Sequence, residues 1–278
     1  MDTRIAKSAK PKQRGASTPA DAIDLAEAAS SDVAELVDRL REDIVTARYR
    51  ADEPLRFRAL ATVYGASVST LREALARLAG ECLVDFQVNH GFRVAPASVE
   101  DLIDIMQARS EIEAVALRQS IESGDDEWEA QIVAAHHKLT RTQARLKENE
   151  SLALEAEWEA RHREFHQAMI AGCRSRWLIK FCETLRVQCD RYRHLVRIPP
   201  GAYPGLVAQH GPLMDATLAR DADKACRLLA VHFEDTSKTM MTAFAKARSR
   251  TNAADEKQKL PRDAGEKARP SLRSPSAL

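Results

Sequence analysis

The sequence predicts a mostly α-helical protein with an N-terminal winged helix-turn-helix and a C-terminal all-α bundle. A chain of 278 residues that is 44% hydrophobic can form roughly two domains, each with its own core. Residues 31–97 combine three short helical patterns with an alternating, hairpin-like segment. Residues 98–247 keep a helical apolar spacing and contain no run that is typical of a strand. The sequence therefore predicts a small mixed domain followed by a helical one.

The first element is predicted by one apolar stripe. Its members recur at positions i, i+3, i+4, i+7 and i+11, the spacing that places side chains on one face of an α-helix. They are Val33, Leu36, Val37, Leu40 and Ile44.

Two shorter helices follow. A helix over residues 58–64 is expected to end at Gly65, because glycine adopts the left-handed conformation of a tight turn. Ser67 is a suitable N-cap for a further helix over residues 70–79. A hairpin is then predicted around a turn at residues 89–91, because apolar residues alternate with polar ones on both sides of it. The alternating residues are Val84, Phe86, Val88, Phe92 and Val94.

A second domain is predicted to begin after residue 97, where Ser98 to Asp101 form a capping box for a long helix. Breaks divide residues 99–247 into about six or seven helices, which indicates an all-α bundle. These breaks lie near residues 123–126, 149–150, 174–175 and 199–204.

Both ends of the chain are predicted to be disordered tails. Residues 1–30 and 248–278 are rich in Lys, Arg, Ser, Pro and Ala, and they contain too few large apolar residues to offset the entropy of ordering. The five cysteines are odd in number and include no CxxC pair, which indicates reduced thiols. No signal peptide or membrane-spanning run is found, so a cytoplasmic protein without a membrane partner is expected.

Several motifs carry a resemblance to a known family. They are Tyr64–Ser67, Leu71–Leu75 with the letters LREAL, Gly91–Val94, Arg109–Glu113 and Phe165–His166. Over roughly residues 33–245 the chain resembles the GntR family of bacterial transcription regulators, in its FadR-type branch with an FCD effector domain. The segments HREFH and SRWL also resemble those of the subgroup of carbon-starvation and glutarate-type repressors.

The resemblance implies a set of DNA-contacting residues in the first domain. Arg72 matches a position near the start of the recognition helix, and its guanidinium suits bidentate contact to guanine or phosphate. Alternatively, Arg72 pairs only with Glu73, and His90 is an exposed turn residue. Val68 and Thr70 depart from the residues common in the branch, so no operator sequence is implied. The implied set is Arg58, Ser67, Ser69, Thr70, Arg72, His90 and Gly91.

Four histidines indicate a site in the second domain. His162 and His166 are four residues apart, which places both imidazoles on one helix face. The resemblance adds His210 and His232 as ligands of a divalent metal, with His162 at the position where the branch has Asp. A neutral set of four imidazoles favours zinc or nickel over manganese or magnesium. Glu159 could instead supply the carboxylate, or the histidines could line a metal-free cavity that binds an anion directly.

The expected function is that of a transcriptional regulator, a repressor by resemblance, that binds a palindromic operator in double-stranded DNA as a homodimer. Its affinity for DNA would be controlled by a small carboxylate, for which Arg109, Arg186 and Arg193 are the candidate binding residues. Two alternatives are a zinc hydrolase and an architectural DNA-binding protein without an effector. An enzyme is not expected, because the HExxH order of zinc proteases is absent. Four histidines also argue against a purely structural bundle.

Overall fold

The computed structural model describes residues 19–149, 151–196 and 204–259. The chain divides into two compact units, the first ending at Pro96 and the second beginning its main segment at Ala97. Within the described residues, no helix is both long enough and apolar enough to cross a membrane.

The first unit is a winged helix-turn-helix, as predicted. The apolar stripe that begins at Val33 is buried on its first helix. Gly65 has a φ of 67° and ends the second helix, while the Ser67 hydroxyl accepts a hydrogen bond from the Thr70 amide and caps the third. The elements are α1 (Pro19–Val45), α2 (Phe57–Tyr64), α3 (Val68–Gly80), β1 (Val84–Gln87) and β2 (Gly91–Val94).

The two strands form an antiparallel hairpin whose tip is more exposed than the alternation predicts. Val84 pairs with Val94, and both are buried. Phe86 pairs with Phe92 but is 62% exposed, and Val88 in the turn is 75% exposed. A two-stranded sheet has limited area to cover, so Val84, Phe92 and Val94 are buried while the residues near the turn stay exposed.

The helices extend into both predicted tails. The α1 helix begins at Pro19, so residues 19–30 are helical rather than disordered. The last helix, α10, continues to Lys259 and includes residues 248–259. Residues 19–30 are rich in alanine, residues 248–259 are rich in charged helix formers, and proline is tolerated in the first turn, so helix propensity favours both extensions. Residues 1–18 and 260–278 lie outside the described residues.

The second unit is an all-α bundle, as predicted. Its first helix is capped by Ser98, whose hydroxyl accepts a hydrogen bond from the Asp101 amide. The helices are α4 (Val99–Ser123), α5 (Asp126–Glu148), α6 (Leu152–Ile170), α7 (Arg176–Val196), α8 (Pro204–Ala208), α9 (His210–Leu218) and α10 (Ala222–Lys259). The α4 helix packs against α7 and α10, and α5 packs against α6.

Close packing around Trp128 fixes α6 against α4 and α5. Gly124 follows α4 at the point where the Trp128 ring passes, and the Trp128 indole N–H donates to the Ala168 carbonyl of α6. Arg220 donates to the carbonyls of Ile121 and Gly124 and lies over the Trp128 ring. These contacts around Trp128 hold the segment of α6 that carries His166.

Replacing Gly124 by alanine is expected to lower the free energy of unfolding. The added Cβ would lie 2.1 Å from a ring atom of Trp128, and such overpacking costs about 1–3 kcal/mol. Thermal unfolding followed by circular dichroism measures the loss. Gly211→Ala is the matched control, because its Cβ would meet nothing within 4 Å. A Gly124→Ala protein as stable as that control would contradict the close packing.

Candidate DNA-binding face and histidine centre

The exposed side of α3 presents Arg72 to solvent. Glu73, its neighbour, pairs with Arg77 at 2.7 Å, so the alternative pairing of Arg72 with Glu73 is not found. Instead, the Arg72 guanidinium carbon lies 5.6 Å from the ring centroid of Phe57, at the start of α2. Phe57 packs in turn on Phe92 of the hairpin. Arg72 is therefore exposed and has an aromatic contact rather than an ion pair with Glu73.

Four arginines of the first unit form ion pairs among the described residues, whereas Arg58 on α2 and Arg72 on α3 do not. Arg58 and Arg72 are exposed and form no ion pair among the described residues. Arg56, which directly precedes α2, is also exposed. Sequence reasoning missed Arg56 and Phe57, although their place beside Arg58 was a usable signal. The paired arginines are Arg41, Arg48, Arg77 and Arg93, with Glu81, Asp43, Glu73 and Asp52 respectively.

The predicted hydroxyl residues cluster at the N-terminus of α3. The Ser67 oxygen lies 2.7 Å from the Ser69 hydroxyl and 2.8 Å from that of Thr70. Because a helix N-terminus favours anions, this cluster can hydrogen-bond a phosphate. His90 is exposed in the hairpin turn, and Gly91 has a φ of 79°. The helix, the hydroxyls and the turn supply the three kinds of contact that a winged helix-turn-helix makes with DNA.

Four imidazoles meet inside the second unit. His162 and His166 lie one turn apart on α6, His210 is the first residue of α9, and His232 lies on α10. One ring nitrogen of each lies within 4.8 Å of the corresponding nitrogens of the other three. His166, His210 and His232 are buried, and His162 stacks on Trp158 with ring centroids 4.8 Å apart. The structure thus brings together all four histidines singled out in the sequence.

The chemistry of this centre is that of a neutral nitrogen donor set. Burial lowers the pKa of His162, His166 and His232 well below the usual value, and the nearby imidazoles and arginines lower it further. Burial also lowers the pKa of His210 to about 4. The rings are therefore uncharged at neutral pH, which is the form that binds metals and the form least able to attract an anion by itself.

Unpartnered nitrogens support the fit of a divalent ion. Nε2 of His166 and both ring nitrogens of His210 are buried without a hydrogen-bond partner among the described residues. Such groups carry a desolvation cost that a ligand would relieve. Tetrahedral zinc with Zn–N distances of about 2.0–2.1 Å separates its nitrogens by about 3.3 Å. The four nitrogens lie up to 4.8 Å apart, so they would have to move closer together to hold such an ion.

The three arginines proposed for an effector all have carboxylate partners. Arg109 pairs with Glu113 at 2.6 Å, and both side chains are buried. Arg193 donates to Glu159 at 2.7 Å, and its other terminal nitrogen lies 3.5 Å from Nδ1 of His162. Arg186 forms its ion pairs with Asp190 and Glu183, at 2.9 and 3.6 Å. Of the three, Arg193 has the direct contact with the histidines.

The acidic residues Glu159 and Glu164 form ion pairs with basic side chains rather than contacts with the histidines. Glu159 is held by Arg193, and burial raises the pKa of its carboxyl group against the lowering effect of that arginine. Glu164 faces away from the centre, because it pairs with Lys138 and Arg161 near the surface. It therefore does not occupy the position of the general base that the hydrolase alternative requires.

The interior of the second unit is unusually polar for a purely structural bundle. An architectural protein without a ligand predicts an apolar interior, because buried charges are costly unless they are paired. Several charged or polar side chains are buried here. They include Arg109, Glu113, His166, Arg186, Gln188, Arg191, His210 and His232.

Comparison with known proteins gives two family matches. The model described as bacterial regulatory proteins of the gntR family matches residues 33–94. The FCD domain model matches residues 104–235, a range that contains all four histidines.

Relatives and solved structures agree with these matches. The chain is 38% identical over 196 residues to the HTH-type transcriptional regulator BphR of Paraburkholderia xenovorans, covering 70% of this chain and 80% of BphR. It is 36% identical over 197 residues to the HTH-type transcriptional repressor GlaR of Escherichia coli, covering 69% and 88%. The solved structure of E. coli McbR/YncC has a TM-score of 0.65 at 19% identity, covering 77% of this chain and 98% of that one.

Proposed function

Because the chain belongs to the GntR family of bacterial transcription regulators and carries an FCD domain, we propose that it is a repressor controlled by a small carboxylate. As a member of this family it is a DNA-binding regulator and not an enzyme. The carboxylate binds beside the histidine centre and lowers the affinity for the operator. The repressor role is supported by the similarity to GlaR, whose name describes a transcriptional repressor.

A divalent metal, zinc or nickel, assists the binding of this carboxylate. The observation that carries this part is the convergence of four imidazoles, three of them buried, whose ring nitrogens lie within 4.8 Å of one another. His162, His166, His210 and His232 hold the ion, which supplies a positive charge for a carboxylate oxygen. A four-histidine set without a carboxylate leaves that charge uncompensated, so an anionic ligand is favoured.

The arginines give the ligand site its second anchor. Arg193 donates to Glu159 with one terminal nitrogen and lies near His162 with the other, so a carboxylate that arrives there competes with Glu159. Burial raises the pKa of Glu159, because the charged carboxylate is less well solvated there than at the surface. Arg109 lies close enough for its charge to lower the pKa of His232, and it remains paired with Glu113.

Control of DNA binding follows from thermodynamic linkage between the carboxylate site and the DNA-binding face. A ligand that prefers the conformation with low DNA affinity shifts the protein toward that conformation, and DNA disfavours the ligand by the same factor. The chain acts in the cytoplasm as a homodimer. The twofold symmetry of the dimer requires a palindromic operator, read by two copies of α3.

Thermal unfolding in the presence of mono- and dicarboxylates, each with and without EDTA, tests the ligand site. A ligand at a hundred times its dissociation constant stabilises the folded protein by about 2.7 kcal/mol. We expect one acid to raise the transition temperature and EDTA to abolish that increase. An increase that EDTA leaves unchanged would contradict the metal and favour the arginines as the anion site. The absence of any increase would contradict the carboxylate effector.

A further inference from the structure

The amide of Gln209 lies between a histidine of the centre and a carboxylate. Its oxygen Oε1 is 2.9 Å from Nδ1 of His232, and its nitrogen Nε2 is 2.9 Å from Oδ2 of Asp235. Gln209 directly precedes His210 at the start of α9, whereas His232 and Asp235 lie one turn apart on α10. The side chain therefore joins the two helices that carry His210 and His232.

The chemistry of these three groups permits one arrangement of hydrogens. A carboxylate only accepts hydrogen bonds, so the amino group of Gln209 must face Asp235. The amide oxygen, which only accepts, must then face His232. Nδ1 of His232 consequently carries the hydrogen, and the lone pair of the neutral ring is on Nε2. This nitrogen remains available to the histidine centre.

We propose that Gln209 and Asp235 are positioning residues that set the tautomer of His232 and thereby the metal affinity of the centre. The proposal rests on the metal-assisted form of the proposed function. It assigns a role to two residues that are neither ligands of the ion nor contacts of the effector. Outer partners of this kind fix the orientation of a metal-binding histidine and raise its basicity.

The Gln209 side chain also fixes the distance between His210 on α9 and His232 on α10. The His210 ring packs on those of Phe165 and His232, and its position also depends on the backbone at the start of α9. Gln209 anchors that backbone to α10 through Asp235. Loss of the Gln209 side chain therefore affects His232 through its tautomer and His210 through the start of α9.

The test compares Gln209→Leu with the wild-type protein in zinc binding. Affinity is measured by competition with a chromophoric chelator, and cobalt absorption reports the geometry of the bound ion. Removing an outer partner of a metal ligand costs about 10–100-fold in affinity, and we expect a loss in that range. Gln131→Leu is the control, because Gln131 bonds only to Glu127 on the exposed side of α5. It should bind zinc as the wild type does.

A paired exchange separates the hydrogen bonds from general packing. In Gln209→Glu combined with Asp235→Asn, the asparagine amide donates to the new carboxylate, which still accepts from Nδ1 of His232. We expect this double variant to bind zinc as tightly as the wild type or more tightly. Affinity that is unchanged in Gln209→Leu, or lost equally in the paired exchange, would overturn the proposal.

A second readout does not need the metal. In metal-free protein labelled with nitrogen-15 at histidine, the ring nitrogen shifts of His232 distinguish its two tautomers. We expect hydrogen on Nδ1 in the wild type and a shift toward hydrogen on Nε2 in Gln209→Leu. The same tautomer in both proteins would overturn the role of Gln209. Failure of the wild type to bind any zinc, with the tautomer change present, would instead contradict the metal-assisted function.

Discussion

Replacing Arg72 by alanine is expected to abolish specific operator binding and to leave the ligand site intact. Arg72 is exposed, has no ion pair among the described residues and is held over the Phe57 ring. A bidentate contact to a base contributes about 1–3 kcal/mol of discrimination against the wrong base. The two DNA-binding domains of a dimer on one operator would therefore contribute about 2–6 kcal/mol. Fluorescence anisotropy with an operator fragment selected from random DNA measures the change.

Arg77→Ala is the matched control for this prediction. It removes the same charge from the same helix, but Arg77 is already paired with Glu73 at 2.7 Å. We expect a small loss of affinity that is similar for operator and unrelated DNA, since such a residue contributes only general attraction to phosphates. Equal losses in the two variants would show that Arg72 does not read the sequence. Loss of metal binding in Arg72→Ala would contradict the independence of the DNA-binding face and the histidine centre.

Replacing both His166 and His210 by alanine is expected to remove stabilisation by zinc. Two of the four donors are lost, and the remaining pair cannot enclose a tetrahedral ion. For the wild type, zinc at a hundred times its dissociation constant should add about 2.7 kcal/mol to the free energy of unfolding, and for the double variant it should add nothing. Thermal unfolding with and without zinc measures both values.

His137→Ala is the control for the double variant, because His137 is exposed on α5. It should keep the full zinc effect. Circular dichroism of the metal-free double variant checks that it folds. Its operator affinity should equal that of the wild type, since the DNA-binding face lies on α2, α3 and the hairpin. Retained zinc stabilisation, or release from the operator by an effector that persists without these histidines, would refute the histidine centre.

The patterns that operate within one element were predictable from sequence. Helical spacing gave the buried stripe of α1, and the preferences of Gly65 and Ser67 marked the turn and cap of the helix-turn-helix. The i, i+4 spacing of His162 and His166 placed both on one face of α6. These features depend on backbone geometry and on neighbours within about one helical turn, which the local sequence contains.

The predicted disorder of residues 19–30 was wrong, because helix propensity competes with overall composition. Residues 19–30 are helical, since a helix nucleated elsewhere is extended by good helix formers. Phe86 is exposed although it alternates with polar residues. Alternation predicts which residues share a face, but only the packing of that face determines burial.

The sequence by itself determined the two domain types, the helix-turn-helix and a paired set of histidines. Only the tertiary structure decided which partners surround them. Arg193 pairs with Glu159 on another helix, and Gln209 links His232 to Asp235. These contacts join separate helices and depend on how the helices pack, whereas Arg109 and Arg186 pair at i, i+4 within their own helices. Packing brings together residues that are distant in the chain, and periodicity along one element contains no information about that distance.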